Sequence, residues 1–169
     1  MKQFLLPAVL STLVFAACND SGSNTSASSA DSSNMNMQEQ PKADAVMSKT
    51  GLPMSSSQEV PANTSTGNGS MDVSYNKDNH LLKYTVTWSG LTDKPTMAHI
   101  HGPAAKGVNA GVRQDLTGVL VKETSGSFSD SVLVDGNAIK EDSLLNGFYY
   151  INIHTPKNPG GEIRGQIEF

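Results

Sequence analysis

The segment Met97-Ala98-His99-Ile100-His101 holds the residue types with the most chemical capacity in this chain. Read as a β-strand, it turns alternate side chains to opposite faces. Met97, His99 and His101 then share one face, and Ala98 and Ile100 share the other. Two imidazoles and a thioether at this spacing suit a soft or borderline metal ion. Gly102-Pro103 ends the strand at once, which leaves His101 near a sheet rim. A second strand, from Gly147 to His154, closes in the same manner. Tyr149, Ile151 and Ile153 line one of its faces; Phe148, Tyr150, Asn152 and His154 line the other.

If these strands are neighbours, His99, His101 and His154 converge, with Met97 beside them. Neutral imidazole binds Cu(II) and Zn(II) well, and Met97 extends the set toward Cu(I), so copper is the favoured ion. Asn152, Thr155 and Glu162 are candidates to orient the ligands. Arg164 has two readings: a partner for a carboxylate such as Glu162, or a guide for an anion. A structural reading of the histidines stands beside the metal reading. In it they hydrogen-bond loop backbone and pin the glycine-rich segment that follows. His80 borders a polar turn and is expected at the surface.

The elements that must position these residues are short strands. Leu82, Tyr84, Val86 and Trp88 alternate with Lys83, Thr85 and Thr87, the pattern of a half-buried strand. Strands are also expected at 70–75, 118–121, 127–134 and 162–169, with an extended edge segment at Ser57–Pro61. Residues 102–115 read as a loop punctuated by Gly102, Gly107 and Gly111. Residues 138–145 read as a short helix with Asn137 as N-cap and Gly147 as its stop. Seven or eight short strands and one short helix predict an all-β fold, an antiparallel Greek-key-like β-sandwich spanning 52–169.

The N-terminus reads as an address. Lys2, an apolar run from Phe4 to Phe15, and Ala16-Ala17-Cys18 form a lipoprotein signal peptide over 1–17. Cys18 is the expected lipidation site and membrane anchor. Asn19 leans the assignment to the outer membrane, on its periplasmic or surface face. Residues 18–51 read as a disordered Ser/Asn/Met-rich linker that buries too little apolar surface to order itself. Met35, Met37, Met47 and Met54 invite a copper-tether reading; methionine tolerated in a linker is the preferred one. With one cysteine, no intrachain disulfide forms. A net charge of −4 and 17% charged residues give no footprint for nucleic acid. No serine sits in a Gly-x-Ser-x-Gly turn, and no catalytic constellation stands out, so no enzymatic activity is expected.

Three motifs, Glu59-Val60-Pro61, Ala98-His99-Ile100-His101-Gly102, and Tyr150 to Thr155 followed by Asn158 to Gln166, resemble the CHRD family in content and order. That domain was first described in chordin and is widespread in bacterial exported proteins. The resemblance implies a β-sandwich and leaves activity open. A more distant likeness is to copper/zinc superoxide dismutase, another sandwich with a His-x-His strand. This chain lacks a fourth clustered histidine, a His/Asp zinc subsite and a cysteine pair, and shared architecture does not carry chemistry across. The expectation is an anchored metal-handling protein of the cell envelope. A non-catalytic envelope interaction or scaffold module, with an envelope protein as partner, is the alternative, and a dismutase-like redox enzyme the third reading.

Overall fold

The computed structural model describes residues 45–169. The signal peptide, Cys18, Met35 and Met37 lie outside the described residues. Eight strands follow in order: β1 (Val46–Ser55), β2 (Asn68–Asn76), β3 (Leu81–Ser89), β4 (Met97–His101), β5 (Val112–Asp115), β6 (Gly126–Leu133), β7 (Tyr150–His154) and β8 (Ile163–Gln166). One short helix, α1 (Glu141–Leu145), precedes β7.

Every strand pairing is antiparallel, in the order β5-β4-β7-β8-β1-β2-β3-β6. Two four-stranded halves meet at a narrow seam, where β1 and β8 pair only at Ser55 and Arg164. The sheet curls so that the inner faces of both halves enclose one core, as the all-β sandwich expectation requires. Met71, Val73 and Tyr75 of β2 and Leu82, Tyr84, Val86 and Trp88 of β3 enter that core. From the other half come Ala98 and Ile100 of β4, Ile151 and Ile153 of β7, and Ile163 of β8. The predicted alternation in β3, β4 and β7 is therefore the one observed.

Several boundaries differ from the sequence reading, each for a physical reason. The first strand begins at Val46, inside the segment assigned to the linker. Only Leu52 and Met54 of β1 are buried, so the strand has almost no alternating signal to read. Met54 is a core residue, which removes it from any copper tether. A bulge between Lys49 and Leu52 lets the Gly51 amide donate to Asp72 Oδ1. Ser56–Gln58 forms a 3-10 turn instead of an extended edge. Residues 112–115, assigned to a loop, are the edge strand β5. Residues 118–121, assigned to a strand, run through a turn at 117–119, after which Leu120 enters the core without strand pairing. The helix starts at Glu141, capped by Lys140 and not Asn137.

β7 and β8 are buried along their whole lengths. Their inner face is apolar. The outer face carries Tyr150, Asn152, His154, Arg164 and Gln166 under a roof of loops. Residues 59–63 and 104–111 supply the roof. Arg164 Nη2 donates to Val108 O and Gln166 Nε2 to Ala104 O, while Asn109 Nδ2 ties the two loops together at Val60 O. Buried polar groups need such partners, because an unmet donor or acceptor costs about 1–3 kcal/mol.

Candidate metal centre

Antiparallel pairing of β4 with β7 aligns Met97 with His154, His99 with Asn152, and His101 with Tyr150. His99 thus lies diagonal to His154, and the three imidazoles share the outer face. One ring nitrogen from each of His99, His101 and His154 lies within 4.8 Å of the other two. His99 Nδ1 is 3.1 Å from His154 Nε2. The side chains predicted to converge do so.

Hydrogen bonds fix which nitrogens carry lone pairs. A backbone carbonyl can only accept, so His101 donates from Nδ1 to Ala110 O at 2.9 Å, and His154 from Nδ1 to Pro159 O at 3.0 Å. Burial lowers the pKa of His101 and of His154, which keeps both rings neutral at pH 7. Each Nε2 is then an unprotonated acceptor. His101 Nε2 is buried and forms no hydrogen bond of normal geometry, with the Asn152 side chain beside it. His154 Nε2 faces Asn152 Oδ1 at 2.9 Å as well as His99. His99 presents its other nitrogen, Nε2, to Asp115 Oδ1 at 4.0 Å. Its pKa is also lowered, first by burial and then by His101, against the pull of Asp115.

The cluster therefore holds more lone pairs than protons, which is the electrostatic arrangement a cation resolves. Two imidazoles donate their second nitrogen to a carbonyl and the third faces a carboxylate, as metal-bound histidines ordinarily do. An ion about 2.0–2.1 Å from each nitrogen would set them roughly 3.3–4.2 Å apart, so the His99–His154 pair, at 3.1 Å, has to open slightly, while no pair starts more than 4.8 Å apart. The residues present fit a metal ion. Three ligands leave at least one coordination position open.

The surroundings are layered. The His101 ring stacks on Tyr150, with centroids 4.9 Å apart and planes 5° from parallel. Arg164 Cζ sits 3.3 Å from the centroid of that same tyrosine. Tyr150 OH accepts from the Ala110 amide, which holds the carbonyl that fixes His101. Glu59 is buried near Asn152; burial pushes its carboxyl up to about 7, although Arg164, Asn152 and the Val60 amide pull it back. Its Oε1 has no hydrogen-bond partner.

The remaining predicted residues fall into two groups. Asn152 touches the trio directly. Met97 stands opposite His154 at the solvent edge, 40% exposed. Glu162 and Thr155 belong to a different network: the Glu162 carboxylate accepts from Ser65 Oγ, Thr92 N, Thr92 Oγ1 and Thr155 Oγ1. The expected Glu162–Arg164 pair does not form, because those four donors saturate the carboxylate and loop carbonyls take the guanidinium. Those hydrogen bonds lower the Glu162 pKa despite its burial. A group depressed in the fold adds stability above its unfolded pKa and loses it as pH falls through the folded value. Glu162→Gln is expected to cost roughly 2–4 kcal/mol at pH 7 and progressively less below pH 4, measured by urea denaturation.

Glu59, Asp115 and Tyr150 were missed as site residues. Glu59 reaches the site from a different loop, and only its place in the Glu-Val-Pro motif marked it. His80 lies apart from the trio, bonded through Nδ1 to Tyr75 OH. Gly161 shows how close the packing is around Glu59. Its φ is +128°, and an added Cβ would meet the Glu59 carboxylate. Gly161→Ala is expected to destabilise the protein by about 1–3 kcal/mol and to displace Glu59, seen as a lower thermal midpoint.

Fold and site together define an all-β domain carrying a partly buried imidazole trio on a roofed sheet face. The chain belongs to the CHRD family: the family model for the CHRD domain matches residues 51–167. Comparison with curated proteins and with solved structures finds no match. Among the described residues, no helix is long and apolar enough to cross a membrane.

Proposed function

We propose that this CHRD-domain protein is exported, anchored to the cell envelope through lipid on Cys18, and holds a transition-metal ion on His99, His101 and His154. Copper is the favoured ion, since imidazole sites bind Cu(II) most strongly among the divalent first-row metals. The role is metal handling in the envelope, not turnover. One observation carries the reading: His101 and His154 are locked by carbonyl acceptors into the tautomer that presents Nε2, and the buried His101 Nε2 forms no hydrogen bond of normal geometry.

Titration of the purified protein with Cu(II) tests it. One ion per chain, bound tightly enough to compete with a weak chelator, is expected; no saturable binding would end the proposal. For the anchor, Cys18→Ser is expected to move the protein from the membrane to the soluble fraction after cell lysis. Unchanged membrane association would remove that part.

A scaffold reading has its own support, because the same two carbonyl contacts pin the loops that end at Ala110 and Pro159. It predicts that histidine variants lose stability and that metal binding is weak in every form.

A further inference from the structure

Three charged residues are buried among the described ones: Glu59, Glu162 and Arg164. Glu162 is saturated by hydroxyl and amide donors in its own network. Arg164 places a positive charge against Tyr150, whose ring stacks on His101. The Asp115 side chain is 68% exposed, so solvent screens it. The three imidazoles are neutral. An ion entering the trio would meet the field of Arg164, which Glu59, a buried carboxylate with one oxygen lacking any donor, offsets in part.

Glu59 is built into place. Its carboxyl lies where a Cβ on Gly161 would stand, and it is beside Asn152, whose Oδ1 is 2.9 Å from His154 Nε2. It makes no close ion pair with Arg164, whose guanidinium donates instead to Val108 O, Asn109 Oδ1 and Gln166 Oε1. One carboxylate oxygen has no donor. A buried ionisable group held half-satisfied is costly, and such groups concentrate at functional sites.

We propose that Glu59 is the counter-charge that makes the histidine trio selective for divalent over monovalent cations. This rests on the trio being a metal site. Coulomb energy scales with the charge of the ion, so removing one fixed negative charge weakens a divalent ion by the square of the factor lost by a monovalent one. A fixed charge worth about tenfold to a bound monovalent ion is worth about a hundredfold to a divalent one at the same place. A residue that merely supported the fold would weaken both ions alike.

Zn(II) and Ag(I) isolate the charge, since both are closed-shell ions that imidazole binds. Their dissociation constants are measured by competition at pH 8 in chloride-free buffer, for wild type, Glu59→Gln and Glu59→Asp. The expected result for Glu59→Gln is a Zn(II) loss about tenfold greater than the Ag(I) loss. Glu59→Asp, which keeps the charge, is expected to keep the wild-type ratio of the two constants. Parallel losses in Glu59→Gln, or no loss, overturn this proposal alone. Wild type that binds neither ion overturns the metal reading and this proposal with it.

Discussion

The His99→Ala/His101→Ala protein is expected to bind Cu(II) at least about a thousandfold more weakly than wild type. Loss of a hydrogen-bond partner behind a metal ligand alone costs about 10- to 100-fold. This variant removes two of three ligands and leaves His154 as a lone imidazole. It also frees the Ala110 carbonyl, so a stability loss of about 1–3 kcal/mol accompanies it. The single variant His99→Ala separates the two effects. It keeps both carbonyl contacts of His101 and His154, so it is expected to lower Cu(II) affinity strongly while shifting the thermal midpoint little. Chelator competition and thermal denaturation on the same three proteins check both numbers. Falling stability with unchanged copper affinity would favour the scaffold reading.

Glu59→Gln is expected to stabilise the metal-free protein at pH 8 by roughly 2–3 kcal/mol. Burial raises the Glu59 carboxyl from 4.5 to about 7, so the folded protein resists its ionisation. Below pH 4.5 the group is neutral folded or unfolded, and it costs nothing. Between 4.5 and 7 the folded state holds the extra proton, so stability falls as pH rises. Above 7 the whole penalty is present, and a rise from 4.5 to about 7 corresponds to about 3 kcal/mol. Glutamine keeps the shape without the charge. Its advantage is therefore expected to vanish near pH 4 and to be complete by pH 8, in urea denaturation at both values. A variant equally stable or less stable at pH 8 would contradict the assigned ionisation. Together with the weaker divalent binding argued above, this residue would trade stability for function.

The histidine face was legible because strand parity is a local property. The order Met97, His99, His101 fixes one face whatever lies beyond, and Tyr150, Asn152 and His154 obey the same rule. Convergence needed one further condition, that β4 and β7 be neighbours, which motif order alone does not settle. What escaped were long-range arrangements. Glu59 comes from the turn after β1, more than ninety positions from Asn152. β1 itself carries Ser48, Lys49 and Thr50 where an alternating strand would show apolar residues, because only its last part faces the core. Glu162 and Arg164 looked like a pair two residues apart. Separate loops, 63–65 and 92 on one side and 108–109 on the other, supply their partners instead.

The most direct test of the account is a crystal structure of the copper-loaded protein with anomalous data collected at the copper edge. It predicts one peak, about 2.0–2.1 Å from His99 Nδ1, His101 Nε2 and His154 Nε2, with the Ala110 and Pro159 contacts kept. Copper found elsewhere on the chain, with no peak between these three rings, would contradict it.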